Sequence, residues 1–220
     1  MFANREEAGI LLSQKLINYR NNEDAVIVSV PRGGVPIGYV LHQKLNLPME
    51  LLLSKKIGHP FLKDYIIGVV SRDFKVLDPL TSAAVSGAYI NNEVERLRKQ
   101  LKLRYNGYYK LYNSINFKNK TVILVDEGAV TGNTLLYSIQ LIQQKHPKEI
   151  IIAIPVSPIS TLRKIEHLKL VKSTICLHSP NEFRTVGQFY TDFKSISDNE
   201  VFSILNKVGY NTEPRIANNN

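Results

Sequence analysis

Asp126 and Glu127 stand side by side directly after the apolar run 122–125, and Gly128, Thr131, Gly132 and Thr134 follow before a helical pattern opens. A short β-branched run of this kind is typical of strands buried on both faces of a parallel sheet. The two carboxylates therefore emerge at its carboxyl end, where open α/β sheets bind ligands. Carboxylates in that place accept hydrogen bonds from a diol. The small residues and hydroxyls beyond them, with the unpaired N–H groups and positive dipole end of a helix, make an anion site. Diol acceptors beside an anion cradle suit a sugar phosphate. The plainer alternative is a strand-to-helix turn with Thr131 as its N-cap. No G-x-x-x-x-G-K-[ST] occurs and no G-x-G-x-x-G follows a strand, so neither a P-loop nor a dinucleotide fingerprint is indicated.

Two further segments carry polar chemistry. The first strand runs into Val30-Pro31-Arg32-Gly33-Gly34, where glycines permit close backbone approach to a ligand and the arginine fork suits phosphate oxygens; the alternative is a Pro/Gly turn with a solvated arginine. The second strand is followed by Ser54-Lys55-Lys56-Ile57-Gly58-His59-Pro60 and then Phe61 to Asp64, a polar, loose segment read as a loop able to close as a lid. His59 has no partners that would make it a metal ligand and is read as a loop histidine.

The elements that must position these residues follow from periodicity: a helix over about 4–20, strand 25–30, helix 35–45, strand 49–53, and an extended stretch 65–71. Asn92-x-x-Glu95 reads as a capping box opening a long helix to about residue 113, followed by the strand before Asp126 and a helix over 132–145. Strands 149–155 and 173–177 come last, separated by a helix that starts at Pro158 or Ser160 and runs to Leu168. This alternation implies an α/β fold, a mostly parallel twisted sheet with helices on both faces. One domain is expected over 1–210, with a helical insertion at about 91–114, a small hood at about 180–197 and a disordered tail at 211–220.

In 220 residues, 44% hydrophobic and 21% charged, the composition is that of an ordinary globular protein. The lone cysteine, Cys176, sits in an apolar run and argues against a disulfide scaffold and for a reducing compartment. No apolar run approaches the roughly 20 residues of a membrane span and the first residues lack a signal-peptide pattern, so a cytoplasmic protein without membrane contact is expected. The net charge of +9 concentrates in Arg96, Arg98, Lys99, Lys102, Arg104, Lys110, Lys118 and Lys120. Val94, Leu97, Leu101, Tyr105, Tyr108 and Tyr112 share that segment at amphipathic spacing, so the charges read as a solvated helix face; an RNA-binding face is the alternative.

At DEGAVTGNT the chain resembles the type I phosphoribosyltransferases, whose signature is a strand, two acidic residues, three variable residues and Thr-Gly-x-Thr. With PRGGVP early, KKIG after the next strand and FRTVGQFYTDF late, nearly the whole chain looks like a group of predicted bacterial phosphoribosyltransferases whose acceptor is unassigned. The resemblance implies that Asp126 and Glu127 bind the ribose hydroxyls of phosphoribosyl pyrophosphate (PRPP). It gives the 5′-phosphate to Gly128, Ala129, Val130, Thr131, Gly132, Asn133 and Thr134, and the pyrophosphate to Arg32, Gly33, Gly34, Lys55 and Lys56. Asp126, Glu127, Arg32 and Lys56 would then carry catalysis, with Mg²⁺ arriving on PRPP rather than in a protein cage. Phe183, Val186, Phe189, Tyr190 and Asp192 would build a hood over a flat acceptor, or else seal the core.

The expected activity is Mg-dependent transfer of ribose 5-phosphate from PRPP to a nitrogen nucleophile, releasing pyrophosphate. One departure bears on the acceptor: where 6-oxopurine enzymes carry an acidic residue before the Thr-Gly, this chain has Val130, which makes hypoxanthine and guanine doubtful. The rival expectation is a non-catalytic regulator that senses PRPP or a nucleotide and uses its basic helix on RNA or a protein. A homodimer is allowed for.

Overall fold

The computed structural model describes residues 1–62, 65–108 and 115–209. The chain forms two compact units, residues 1–52 with 116–198 and residues 53–115 with those from 199 onward.

The first unit is built on five parallel strands in the order β2-β1-β6-β7-β8. They are β1 (Ala25–Ser29), β2 (Met49–Leu51), β6 (Thr121–Val125), β7 (Glu149–Val156) and β8 (Val171–His178). β1 and β6 are buried at every position, as their unbroken Val/Ile content requires of strands covered on both faces. Helices α1 (Arg5–Lys15), α2 (Gly34–Leu45), α5 (Asn133–Gln143) and α6 (Ile159–Glu166) flank the sheet. Right-handed crossovers send β1-α2-β2 to one side and β6-α5-β7-α6-β8 to the other, so the strand order reverses between β1 and β6. That reversal opens a crevice at their carboxyl ends.

The second unit pairs three antiparallel strands, β3 (Ser54–Gly58), β4 (Ile66–Ser71) and β5 (Lys75–Leu77), with helices α3 (Pro79–Ser82), α4 (Gly87–Tyr108) and α7 (Asp198–Val208). Ile57, Ile67, Val70, Ile90, Val94, Leu97 and Leu101 form its core.

Several expected boundaries shift. Residues 54–58, read as part of a loose loop, form β3, because a strand this polar draws its order from cross-strand pairing with the apolar β4. Helix α4 begins five residues before Asn92, with the Ser86 carbonyl accepting from the Ile90 N–H at 3.1 Å, so Asn92 and Glu95 lie inside the helix and form no capping box. The expected end of that helix near 113 falls outside the described residues, as does the tail 211–220. Helix α1 stops at Lys15 and a 3₁₀ turn, Ile17–Tyr19, continues it. Helix α7 is an addition, anchored by the buried Val201 and Leu205 and by Phe202 against Tyr108 at 4.9 Å.

Ile123, at the centre of β6 and fully buried, is the position from which the crevice is most directly supported. Ile123→Ala should destabilise the protein by about 2–5 kcal/mol through lost burial and the cavity left behind. Urea unfolding checks this, and a loss below about 1 kcal/mol would mean that β6 is not the close-packed centre described.

Candidate active site

The crevice is assembled from two loops drawn together by main-chain contacts. The Val30 N–H donates to the Val125 carbonyl at 2.9 Å, extending the β1–β6 pairing into the loops that follow. The loop after β1 then turns into α2, whose first residue, Gly34, lies against β6: a Cβ there would stand 2.7 Å from the Val125 carbonyl oxygen. At Gly33 a Cβ would fall 2.0 Å from the Glu127 carboxylate. At Gly34 the neighbour is main chain, so only glycine lets the loop approach β6 this closely, while at Gly33 the neighbour is the end of the Glu127 side chain. The Pro31–Arg32 peptide is cis, and the Arg32 side chain is exposed.

Beyond the acids, the loop 128–132 is pinned on one side by Ala129 N–H to the Val156 carbonyl (3.0 Å) and on the other by Thr161 Oγ1, which donates to the Val130 carbonyl at 2.6 Å. Gly132 enters α5 in the left-handed conformation (φ 78°) and supplies no side-chain cap. The first-turn N–H groups of α5 thus have no capping side chain, and the dipole adds positive charge where they point. Thr131, Asn133 and Thr134 are exposed or border on the exposed face beside them. An uncapped helix N-terminus of this kind can receive an anion.

The carboxylates differ in their surroundings. Asp126 Oδ1 accepts from the Glu127 N–H at 2.8 Å. Burial pushes the Asp126 carboxyl up to about 8, against the pull of that hydrogen bond, with the charge of Glu127 adding to the rise. Glu127 is engaged by a residue outside the set expected from sequence: Arg5 Nε donates to Glu127 Oε2 at 2.6 Å, and Tyr190 Oη donates to the Glu127 carbonyl at 2.8 Å. Burial, then the Glu127 charge, holds the Tyr190 phenol well above its ordinary range, so it stays a donor. A cation in the first turn of a helix opposes the dipole and needs a reason to be there.

The late aromatic segment folds back onto the N-terminus. Phe2 N–H donates to the Phe189 carbonyl (2.7 Å), and the Thr191 and Asp192 N–H groups donate to the Phe2 and Ala3 carbonyls (both 2.8 Å). Phe183, Val186, Phe189 and Phe193 pack with buried Phe2 and Tyr190, while Asp192 is exposed. Tyr190 lies between Phe2 and Phe193, at 5.4 and 5.0 Å, so its ring is already covered by protein.

The structure thus gathers Arg32, Gly33, Gly34, Asp126, Glu127 and residues 128–134 within the first unit. Lys55 and Lys56 belong to the second, on β3, the former half-buried and the latter exposed. There the cationic side of α4 lines a groove of about 430 Å³ with Arg72, Arg98, Lys99 and Lys102, beside Glu95 and Asn106. The half-buried Cys176 thiol, raised by burial, lies on β8 and not in the crevice loops.

The chain belongs to the type I phosphoribosyltransferase family, and its fold is that family's: the family described as "Phosphoribosyl transferase domain" matches residues 3–188. The chain is 27% identical over 210 residues to proteins of two strains of Mycobacterium tuberculosis provisionally named phosphoribosyl transferases. The match covers 94% of this chain and 47% of theirs, so the chain spans about half the length of the curated relatives it matches. The crystal structure of TT1426 from Thermus thermophilus is similar over 94% of this chain and 98% of that one, with a TM-score of 0.81 at 27% identity. A purine phosphoribosyltransferase from Pyrococcus horikoshii superposes more loosely, with a TM-score of 0.49 at 17% identity over 90% of this chain and 98% of that one.

The raised Asp126 carboxyl has a consequence for stability. An unfolded aspartate titrates near about 3.9. The folded chain therefore holds this proton between about pH 4 and about pH 8, and stability is lost as the pH rises through that window. Asp126→Asn removes the ionisation, so its Tm relative to the wild type should climb from pH 4 to pH 8. Thermal scans across the range check this; a constant difference would show an ordinary carboxylate.

Proposed function

We propose that this domain transfers ribose 5-phosphate from PRPP to a nitrogen nucleophile and releases pyrophosphate. The observation that carries the reading is the close approach of the Arg32-Gly33-Gly34 loop to Asp126 and Glu127, with the uncapped N-terminus of α5 beside them. The parts of a PRPP molecule are matched in chemistry: an anion cradle for the 5′-phosphate, acceptors for the ribose diol, and a glycine-lined loop with an exposed arginine for the pyrophosphate. In the reaction the C1–O bond breaks with its electron pair going to pyrophosphate, the acceptor nitrogen forms the C1–N bond, and its proton is lost. Holding the ribose and stabilising the departing charge are the tasks of these residues.

The donor set fits Mg²⁺. Asp126 Oδ2 and Glu127 Oε1 have no hydrogen-bond partner among the described residues, and carboxylate oxygens are the ligands this hard cation takes beside phosphates. When bound, the ion would neutralise phosphate charge. Asp126 must give up its proton to bind the ion, whereas the protonated carboxyl can still accept a diol hydrogen. A cytoplasmic setting suits a chain with one cysteine.

Asp126→Asn with Glu127→Gln should weaken Mg-PRPP binding at least tenfold, since each charged acceptor is worth roughly 1.5–3 kcal/mol. Calorimetry with unchanged affinity would defeat the reading. With the wild type at pH 7, binding should release a proton, seen as a buffer-dependent heat; Asp126→Asn should abolish it.

Val130, exposed and apolar, stands where the loop could have offered a base. We assign the acceptor to nucleophiles that need no base from this loop. In steady-state assays with PRPP, guanine and hypoxanthine should fall short of kcat/KM of about 10⁴ M⁻¹s⁻¹. Turnover at or above that level would sink the assignment.

The regulator reading has one observation in its favour, the groove lined by Arg72, Arg98, Lys99 and Lys102. RNA binding that falls steeply between about 50 and 200 mM salt, in a protein that turns over no acceptor, would favour it.

A further inference from the structure

Arg5 is nearly buried, with 9% of its side chain exposed, and its guanidinium makes three contacts. Nε donates to Glu127 Oε2 at 2.6 Å, Nη1 donates to the Lys194 carbonyl at 3.0 Å, and the planar face lies 4.1 Å from the centre of the Phe193 ring. Its backbone is fixed as well. Asn4 caps α1 by accepting from the Glu7 N–H at 3.0 Å, and residues 2–3 are hydrogen-bonded to the segment 189–192. The Glu127 carboxylate also lies against Gly33, where a Cβ would meet Oε2 at 2.0 Å and Oε1 at 2.4 Å.

Stability does not account for this arrangement. Desolvating an ion pair costs about as much as the attraction returns, and a cation in the first turn of α1 works against the helix dipole. Orientation does account for it. The guanidinium occupies Oε2, leaving Oε1 with no partner among the described residues. A carboxylate tethered at one oxygen and backed by a glycine presents its other oxygen in one direction.

We infer that Arg5 is a positioning residue of the PRPP site, holding Glu127 so that Oε1 faces the ribose hydroxyls. The inference rests on the PRPP reading above and adds a residue from the N-terminal helix to it. The same contact makes the sugar site depend on the aromatic segment, since Phe193 and the Lys194 carbonyl hold Arg5 in place.

Arg5→Gln and Arg5→Lys test this in the full chain. Gln keeps a donor but loses charge and the fork; Lys keeps charge but cannot hold both oxygens and the ring together. Arg5→Gln should weaken Mg-PRPP binding about tenfold or more and raise the KM for PRPP with a smaller change in the KM for the acceptor, and Arg5→Lys should recover part of the loss. A lowered Tm with unchanged PRPP affinity in either variant would overturn the proposal, since that is what a merely structural ion pair would give. A crystal structure of whichever variant folds supplies a ligand-free reading: the Glu127 carboxylate should leave the Gly33 face, and one that stays in place overturns the proposal. If the wild-type protein binds no Mg-PRPP, the proposed function fails, and the position of Glu127 in the variant still decides whether Arg5 holds it.

Discussion

The packing of Gly33 and Gly34 against the end of β6 is the constraint on which the crevice depends. Two loops that follow adjacent parallel strands normally diverge, because each carries side chains that need room. Here a Cβ at either glycine would overlap β6 or the acid after it, and the Val30–Val125 hydrogen bond holds the loops at that separation. The reversal of strand order supplies the crevice, but the glycines set its width.

That closeness has an electrostatic cost, which the two acids meet in different ways. Asp126 is desolvated and keeps its proton up to about pH 8. Glu127 is matched by Arg5, whose guanidinium is in turn covered by Phe193. One acid therefore sits where burial favours its protonated form, while the other is held in direction beforehand by Arg5. Preorganisation of this kind lowers the reorganisation that ligand binding or charge separation would demand. The aromatic segment then has a task that does not depend on stacking an acceptor: with Tyr190 bonded to the Glu127 carbonyl, it forms the wall behind the acidic pair.

The legible parts of the sequence were those in which local pattern and global role coincide. β1, β6 and β7 are apolar almost throughout because both faces are covered, and the strand-loop-helix at 121–143 keeps all its chemistry within one short stretch. β3 was not legible, since Lys55 and Lys56 carry no strand signal and the order comes from β4. The start of α4 lies before Asn92 because Asn92 and Glu95 match a capping pattern by spacing alone, while the Ser86 carbonyl closes the first turn and Ser86, a favoured N-cap type, carries the weaker single-residue signal. Arg5 is the instructive case: its partner lies 122 residues away, and within the N-terminal segment it looks like one more charge on an amphipathic helix.

The same geometry bears on how an acceptor could lose its proton. The backbone at Val130 is fixed by Thr161 and leads directly into Gly132, so this position faces outward in a defined way and presents an isopropyl group. Glu127 is tied to Arg5, and Asp126 holds a proton at neutral pH. In the proposed complex Glu127 would be engaged by Arg5 and the ribose and Asp126 by the ribose or the ion, so neither would be free to take a proton from an incoming nitrogen. Within the proposed reaction, an acceptor with a free lone pair, or with an N–H acidic enough to lose its proton to water, fits the loop best. For such an acceptor a general base in this loop would add little to the rate, and an apolar residue at Val130 would cost the proposed reaction little.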